Sequence, residues 1–161
     1  MTPRRPRVLA ISSRGGHWVQ LKRLAPAFAD CDVRWASTDP ALAAQVAPAP
    51  FTPVPEASRW DRLRLAWMAL RVAWLVVRLR PDVVVSTGAA PGFVALRAAR
   101  LLGARTVWVD SVANAAELSL SGRKALGFAD LTLTQWPHLG EPLPQGTPPR
   151  RGTAHHAGSV L

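Results

Sequence analysis

Cysteine is nearly missing from this 161-residue chain. Cys31 stands alone, so no internal disulfide can form, and a reducing compartment fits. Acidic residues are few: ten Asp and Glu face twenty Lys and Arg, a net charge of +10. The basic residues are almost all arginine, which a codon bias explains as readily as a functional demand. The excess charge itself suits nucleic acid, anionic lipid headgroups or phosphorylated substrates, without choosing among them. Long apolar runs are absent too. The most apolar segment offers unbroken pieces only at 65–70 and 72–77, far short of the ~18 residues of a membrane span. The basic start from Met1 to Arg7 leads only into Val8–Ile11, too short for a secretory signal. No segment repeats at a fixed period. His138, His155 and His156 lack metal-ligand spacing with Cys31 or a second His pair, so no metal and no cofactor is expected. The Walker pattern and the G-x-G-x-x-G dinucleotide fingerprint are missing, which leaves Asp39, after the second predicted strand, without a nicotinamide cofactor to serve.

What is present is an alternation of strand and helix. Strands are expected at 7–12, 32–37, 51–54, 82–86, 106–109 and 131–134. Helices are expected at 17–28, 40–46, 58–79, 91–102 and 120–128. The β-branched clusters Val83–Val85 and Val107–Val109 read as buried parallel strands. Pro91 suits a first helical turn and Gly103 a helix end. The pattern predicts one α/β domain over 1–161, a Rossmann-like doubly wound sheet. The segment 141–151, rich in Pro, Gly and Arg, reads as an arm that orders on contact or as a loose linker. The apolar end 157–161 suggests one last short strand.

Two glycine turns follow two of the strands. Ser12-Ser13-Arg14-Gly15-Gly16-His17 follows the first, and Ser86-Thr87-Gly88-Ala89-Ala90-Pro91-Gly92 follows the fourth. A strand turning through glycine into a helix N-terminus presents unpaired N–H groups and a positive dipole end, an arrangement that binds phosphate. His17, on the first helical turn, feels that dipole, which favours an uncharged imidazole suited to act as a general base. The plain alternative is a polar residue that only bonds the loop. Asp110 and Ser111 follow a strand, with Asn114 and Glu117 close behind. Such a set suits hydrogen bonds to sugar hydroxyls, and helix capping by Asp110 or Ser111 is the ordinary alternative.

From Trp60 to Leu79, Trp60, Trp67 and Trp74 recur every seven residues, and Arg64, Arg71 and Arg78 follow each by four. At 3.6 residues per turn the six share a stripe, each Arg placed to stack on a Trp. The rest of the circumference is apolar. Apolar bulk with Trp and Arg at headgroup depth is the composition of an interfacial membrane helix, here against an anionic surface. A core helix whose stripe faces water is the alternative.

The run Leu118-Ser119-Leu120-Ser121-Gly122-Arg123-Lys124, with Val109-Asp110-Ser111, Phe128-Ala129-Asp130 and Gln135-Trp136-Pro137, is specific in combination. It resembles the asparagine-linked glycosylation protein 14 family and its bacterial exopolysaccharide homologues. That family supplies the acceptor-binding, membrane-recruiting subunit of the two-subunit dolichol-diphosphate N-acetylglucosamine transferase. Gly15-Gly16-His17, Pro81-Asp82, Gly88 and Gly158-Ser159-Val160-Leu161 fit the same pattern. The resemblance implies the N-terminal half of a split GT-B glycosyltransferase, inverting and metal-independent, inactive without a separate donor-binding subunit that holds the nucleotide sugar. It implies a polyprenyl-diphosphate-linked sugar acceptor, whose diphosphate would meet Arg14, Gly15, Gly16, Gly88 and Gly92. Ser111 and Asn114 would lie on the acceptor side, and His17, or less readily Asp110, would be the catalytic base. Arg14 stands where relatives usually have a small residue, and Asp110 replaces a commoner glutamate. Eukaryotic members carry an N-terminal membrane anchor; here the Trp60–Leu79 helix would take its place, giving a peripheral protein at the cytoplasmic face. Gln135, Trp136 and Pro137, with the arm behind them, are expected to meet the donor-binding subunit in a heterodimer. A silent adaptor that only recruits and stimulates a partner transferase is the rival reading. A nucleic-acid binder is disfavoured, because no binding motif is present.

Overall fold

The computed structural model describes residues 4–57 and 60–160. Among them, eight strands form one sheet in which every pairing is parallel. They are β1 (Arg7–Ser12), β2 (Asp32–Ser37), β3 (Phe51–Pro53), β4 (Val83–Ser86), β5 (Arg105–Val109), β6 (Leu131–Thr134), β7 (Glu141–Pro142) and β8 (Ala154–His156). Their order is β3-β2-β1-β4-β5-β6-β8-β7. The chain first winds outward from β1 to β3, then restarts beside β1 with β4. The sheet therefore reverses direction between β1 and β4, where Ile11 pairs with Ser86. In open α/β sheets ligands bind beyond the carboxyl ends of the strands at such a reversal.

The two faces are covered differently. On one, Leu9, Ile11, Val84 and Trp108 pack beneath α2 (Arg62–Leu79), α3 (Ala89–Leu101) and α4 (Leu120–Ala125). On the other, Val8, Ala10 and Val85 pack with Trp18 and Leu21 of α1 (Gly16–Arg23), and Trp18 meets Trp35 and Phe51 edge-on.

β1 to β6 lie within a residue of their expected bounds, whereas β7, inside the segment expected as an arm or linker, and β8 have no expected counterpart. Several helices are shorter than expected. α1 stops at Arg23 and a 3₁₀ turn runs over Ala25–Phe28, because Pro26 has no N–H to continue the helix. The segment expected as a helix at 40–46 is a 3₁₀ turn, Pro40–Gln45, capped by Asp39. α4 ends at Ala125, ahead of Gly127. α2 starts at Arg62, where the Asp61 carboxylate accepts from the Arg64 amide, rather than at Ser58, which lies outside the described residues. The expected terminal strand at 157–161 is corrected. The last strand is Ala154–His156, 157–160 forms no strand, and Leu161 lies outside the described residues. The arm is held: Arg151 donates to Asp130 at 2.5 Å, and the Gly152 amide donates to the Leu126 carbonyl.

Candidate functional site

The two glycine turns sit side by side at the reversal and are stitched together. The Thr87 hydroxyl donates to the His17 carbonyl at 2.6 Å, and His17 Nδ1 lies 2.8 Å from the Thr87 carbonyl. A carbonyl can only accept, so Nδ1 carries a proton and Nε2 is the nitrogen left to face a substrate. Gly88 is required for this arrangement. A Cβ there would overlap the Cε1 and Nδ1 atoms of His17, and its φ of +139° is one that side-chain-bearing residues avoid. Gly92, one turn into α3, packs so closely on β4 that a Cβ would overlap the Ser86 hydroxyl. Ala89 is held at φ +68°, a strained conformation for a residue with a side chain.

The helix ends at this cleft differ from those elsewhere. α2 and α4 are capped by the side chains of Asp61 and Ser119. α1 and α3 open at Gly15 and Gly88, with no side-chain cap on either. Two uncapped N-termini, each worth roughly half a positive charge, therefore lie side by side with the His17 ring packed against Gly88. Their first-turn amides are the donors a diphosphate would accept. Arg14 leans away: its guanidinium pairs with Glu56 at 3.3 Å, and its amide donates to the Thr38 hydroxyl.

Asp110 has a different character. Its carboxylate is 2% exposed and accepts from the Ser119 amide (2.8 Å), the Ser119 hydroxyl (2.5 Å), Asn114 Nδ2 (3.2 Å) and the Trp108 indole (3.1 Å). Both oxygens are occupied in organising the 111–119 loop. A Cβ on Gly122 would stand 2.7 Å from one of them, which accounts for the glycine of the Ser-Gly-Arg run. Ser111 accepts from Gln20 Nε2 and from the Ala113 amide. Neither Asp110 nor Ser111 caps a helix; Ser119 caps α4.

Gln20 was not singled out by sequence. From α1 it bonds Ser111 and accepts from Gln135 Nε2 at 2.6 Å; Gln135 also donates to the Asp110 carbonyl and accepts from the Val160 amide. This buried amide pair ties the histidine-bearing helix to the 110–114 loop and to the end of the chain. A polar residue between Trp18 and Leu21 is its only sequence signal. Gln135 is 4% exposed and presents no side chain to a partner. Trp136 is half-buried and donates to the Val112 carbonyl at 2.8 Å, while Pro137 is exposed.

α2 buries Met68, Val72, Leu75 and Val76 and leaves the opposite side open. Trp60, Leu63, Trp67, Leu70, Trp74 and Val77 form an exposed apolar ridge, with Leu63 at 85% and Trp67 at 56%. Arg71 lies 5.7 Å from the Trp67 ring and 5.8 Å from that of Trp74, and Arg78 lies 5.3 Å from Trp74. Arg64 pairs with Asp61. The helix is thus one-sided rather than buried all round. Among the described residues no helix is long and apolar enough to cross a membrane, and no three His, Cys, Asp or Glu side chains gather as metal ligands would.

An all-parallel sheet with two glycine turns at its reversal is the architecture of a Rossmann-like half of the GT-B fold. MurG from Acinetobacter baumannii superposes with a TM-score of 0.70 at 17% identity, over 96% of this chain and 46% of that one. A UDP-N-acetylglucosamine 2-epimerase from Rickettsia bellii gives 0.68 at 13% identity, over 98% of this chain and 46% of that one. The family model described as "Oligosaccharide biosynthesis protein Alg14 like" matches residues 61–147, more than half of the chain. The protein belongs to that family. The subunit ALG14 of UDP-N-acetylglucosamine transferase from Yarrowia lipolytica is 38% identical over 72 residues, 41% of this chain and 33% of that protein. Its counterpart from Eremothecium gossypii is 42% identical over 67 residues, 38% of this chain and 30% of that protein. The matched segments span about a third of these curated relatives, and the chain spans under half of MurG.

Proposed function

We propose that the chain is the acceptor-side subunit of a two-component glycosyltransferase in polysaccharide or lipid-linked oligosaccharide synthesis. The observation that carries this is the pair of uncapped helix N-termini converging on His17, in a family whose named relatives are transferase subunits. The diphosphate of a polyprenyl-diphosphate-linked sugar would accept from the amides after Gly15 and Gly88. His17 Nε2 would take the proton from an acceptor hydroxyl as that oxygen attacks the anomeric carbon of a nucleotide sugar. The nucleoside diphosphate would leave with its bonding pair, and the configuration would invert. Thr87 sets the tautomer. Asp110, with four internal donors, acts as a positioning residue for the 111–119 loop. The donor would arrive on a separate subunit, meeting Pro137, the exposed part of Trp136 and the arm.

The ridge of α2 fits a peripheral docking face on an anionic cytoplasmic leaflet. Trp and Leu supply apolar area while Arg71 and Arg78, laid over the Trp rings, supply charge at headgroup depth. Sedimentation with phosphatidylglycerol vesicles tests this. Trp67→Ala with Trp74→Ala should weaken binding about tenfold or more, from two half-exposed indoles losing burial. Equal sedimentation by the double variant would remove the ridge from the proposal.

Reconstitution with the donor-binding subunit tests the chemistry. His17→Ala should lower transfer on the order of 10²–10⁴-fold while the pair still co-purifies. Turnover within a few-fold of wild type would make His17 a loop clamp and favour the adaptor reading.

A further inference from the structure

The opposite, amino edge of the sheet carries two concavities that the transferase reading does not use. One, of about 740 Å³, is lined by Arg7, Arg80, Asp82 and Arg105, where β1, β4 and β5 begin. The other, of about 540 Å³, lies under the arm, between Val107 and Leu131 on one side and Pro148 and Pro149 on the other. Val83 and Arg105 line both, so the two adjoin along a groove. Each part has the size of a small-molecule pocket, roughly 300–1,000 Å³.

The groove is charged at one end and apolar at the other. Asp82 is the carboxylate of the charged end, and its oxygens already accept from Arg4 at 2.8 Å and from the Arg7 amide at 2.7 Å. Arg7 also donates to the Leu79 carbonyl at the end of α2. Arg80 and Arg105 have no carboxylate partner among the described residues. Three lining guanidiniums, Arg7, Arg80 and Arg105, thus face one carboxylate and two helix C-termini, those of α2 and α3. With each terminus worth about −0.5, the end keeps roughly +1. Arg80 is held at φ +45°, in the left-handed position where glycine usually ends a helix. A guanidinium is therefore kept at this spot against backbone preference. At the far end the lining Arg151 is paired with Asp130, and the arm prolines close a largely apolar stretch.

We infer that this groove binds an anionic amphiphile, with a phosphate head on Arg80 and Arg105 and an apolar chain along Val107, Leu131, Pro148 and Pro149. The two guanidiniums without a carboxylate partner, Arg80 and Arg105, suit a phosphate monoester, which carries about −1.5 to −2 at pH 7. Bidentate Arg–phosphate bonds give the head its orientation. The groove lies a strand length from the glycine cleft, on the order of 13 Å for four residues at ~3.3 Å each, so both can be filled at once.

The test is calorimetric titration of the intact chain with dodecyl phosphate below its micellar concentration. Dodecyl maltoside is the neutral amphiphile and inorganic phosphate the head alone. Saturable 1:1 binding of dodecyl phosphate is expected, at least tenfold tighter than either control. Arg80→Gly with Arg105→Gln should weaken it at least tenfold; glycine suits the φ at position 80, so this variant keeps its fold. Binding should survive Gly88→Ala and Trp67→Ala with Trp74→Ala, which separates it from the glycine cleft and the α2 ridge. Unchanged affinity in the arginine variant, or equal binding of the maltoside, overturns the inference. Loss of dodecyl phosphate binding when the donor-binding subunit is added would make the groove a protein seat and overturns it as well. Vesicles containing phosphatidic acid, compared with free dodecyl phosphate as competitor, separate a bilayer lipid from a soluble amphiphile as the source.

Discussion

Gly88→Ala is the sharpest perturbation the site offers. The new methyl would occupy the space of the His17 ring atoms Cε1 and Nδ1, so the ring must swing out and release the Thr87 carbonyl. Three costs follow. A side chain at φ +139° is strained by about 1–2 kcal/mol. The lost hydrogen bond is worth about 1 kcal/mol. The ring, once moved, no longer presents Nε2 between the two helix ends. Stability should fall by roughly 2–3 kcal/mol, a drop in Tm of about 4–12 °C for a domain of this size. Transfer by the reconstituted pair should fall on the order of 10²–10⁴-fold, as for loss of the base itself. The control is Gly103→Ala. That residue also has positive φ, at +79°, but a Cβ there meets nothing within 4 Å and lies at the opposite edge. It should lose about 1–2 kcal/mol and no activity. Circular dichroism melting beside a radiolabelled-sugar transfer assay reads both quantities. If Gly88→Ala melts as expected yet transfers sugar at the wild-type rate, the coupling of Gly88 to a catalytic His17 is refuted.

Other outcomes follow from single contacts. Asp61→Ala removes the carboxylate that caps α2 and should cost about 0.5–2 kcal/mol by urea unfolding, with the sheet intact by amide exchange. His155 is 2% exposed, and neither ring nitrogen has a hydrogen-bond partner among the described residues; His155→Leu should therefore stabilise the fold by about 1 kcal/mol, and a loss of stability would reveal a bond to its ring. Bonds from the Arg7 amide and Arg4 hold the Asp82 carboxyl below its ordinary 3.8. Burial pushes Asp130 up, but Arg151, Thr106 and Arg100 outweigh it and hold that group low too. Both groups have folded values below their unfolded ones, so their contribution is complete above about pH 5 and is lost as pH falls through 3.8 and below. Urea midpoints should drop between about pH 5 and pH 3, and the drop should shrink in Asp82→Asn with Asp130→Asn.

Some of this molecule was legible in one dimension because the physics involved is local. Val83–Val85 and Val107–Val109 form strands for the same reason they look like strands: β-branched side chains suit a sheet buried on both faces. The glycine turns were legible because an uncapped helix start after a strand is a short-range device. Helix ends were less so, since Pro26 and Gly127 convert the last expected turns into 3₁₀ geometry or loop, and periodicity does not register that change. The rest depends on distance along the chain. His17 and Thr87 are seventy residues apart, and the Gln20–Gln135 bond joins positions 115 apart; no local pattern announces either partner. α2 shows the same limit from the other side. Its composition suits both an interfacial helix and a core helix, and the fold buries the side bearing Met68, Val72, Leu75 and Val76. Sequence records that the ridge from Trp60 to Val77 is apolar but not whether anything covers it. Exposed apolar area this continuous is costly in water, which is why the ridge is proposed as a docking face. The arginines laid on its tryptophans favour a surface that accepts charge and apolar bulk together, which a lipid interface does and a dry protein interface does poorly.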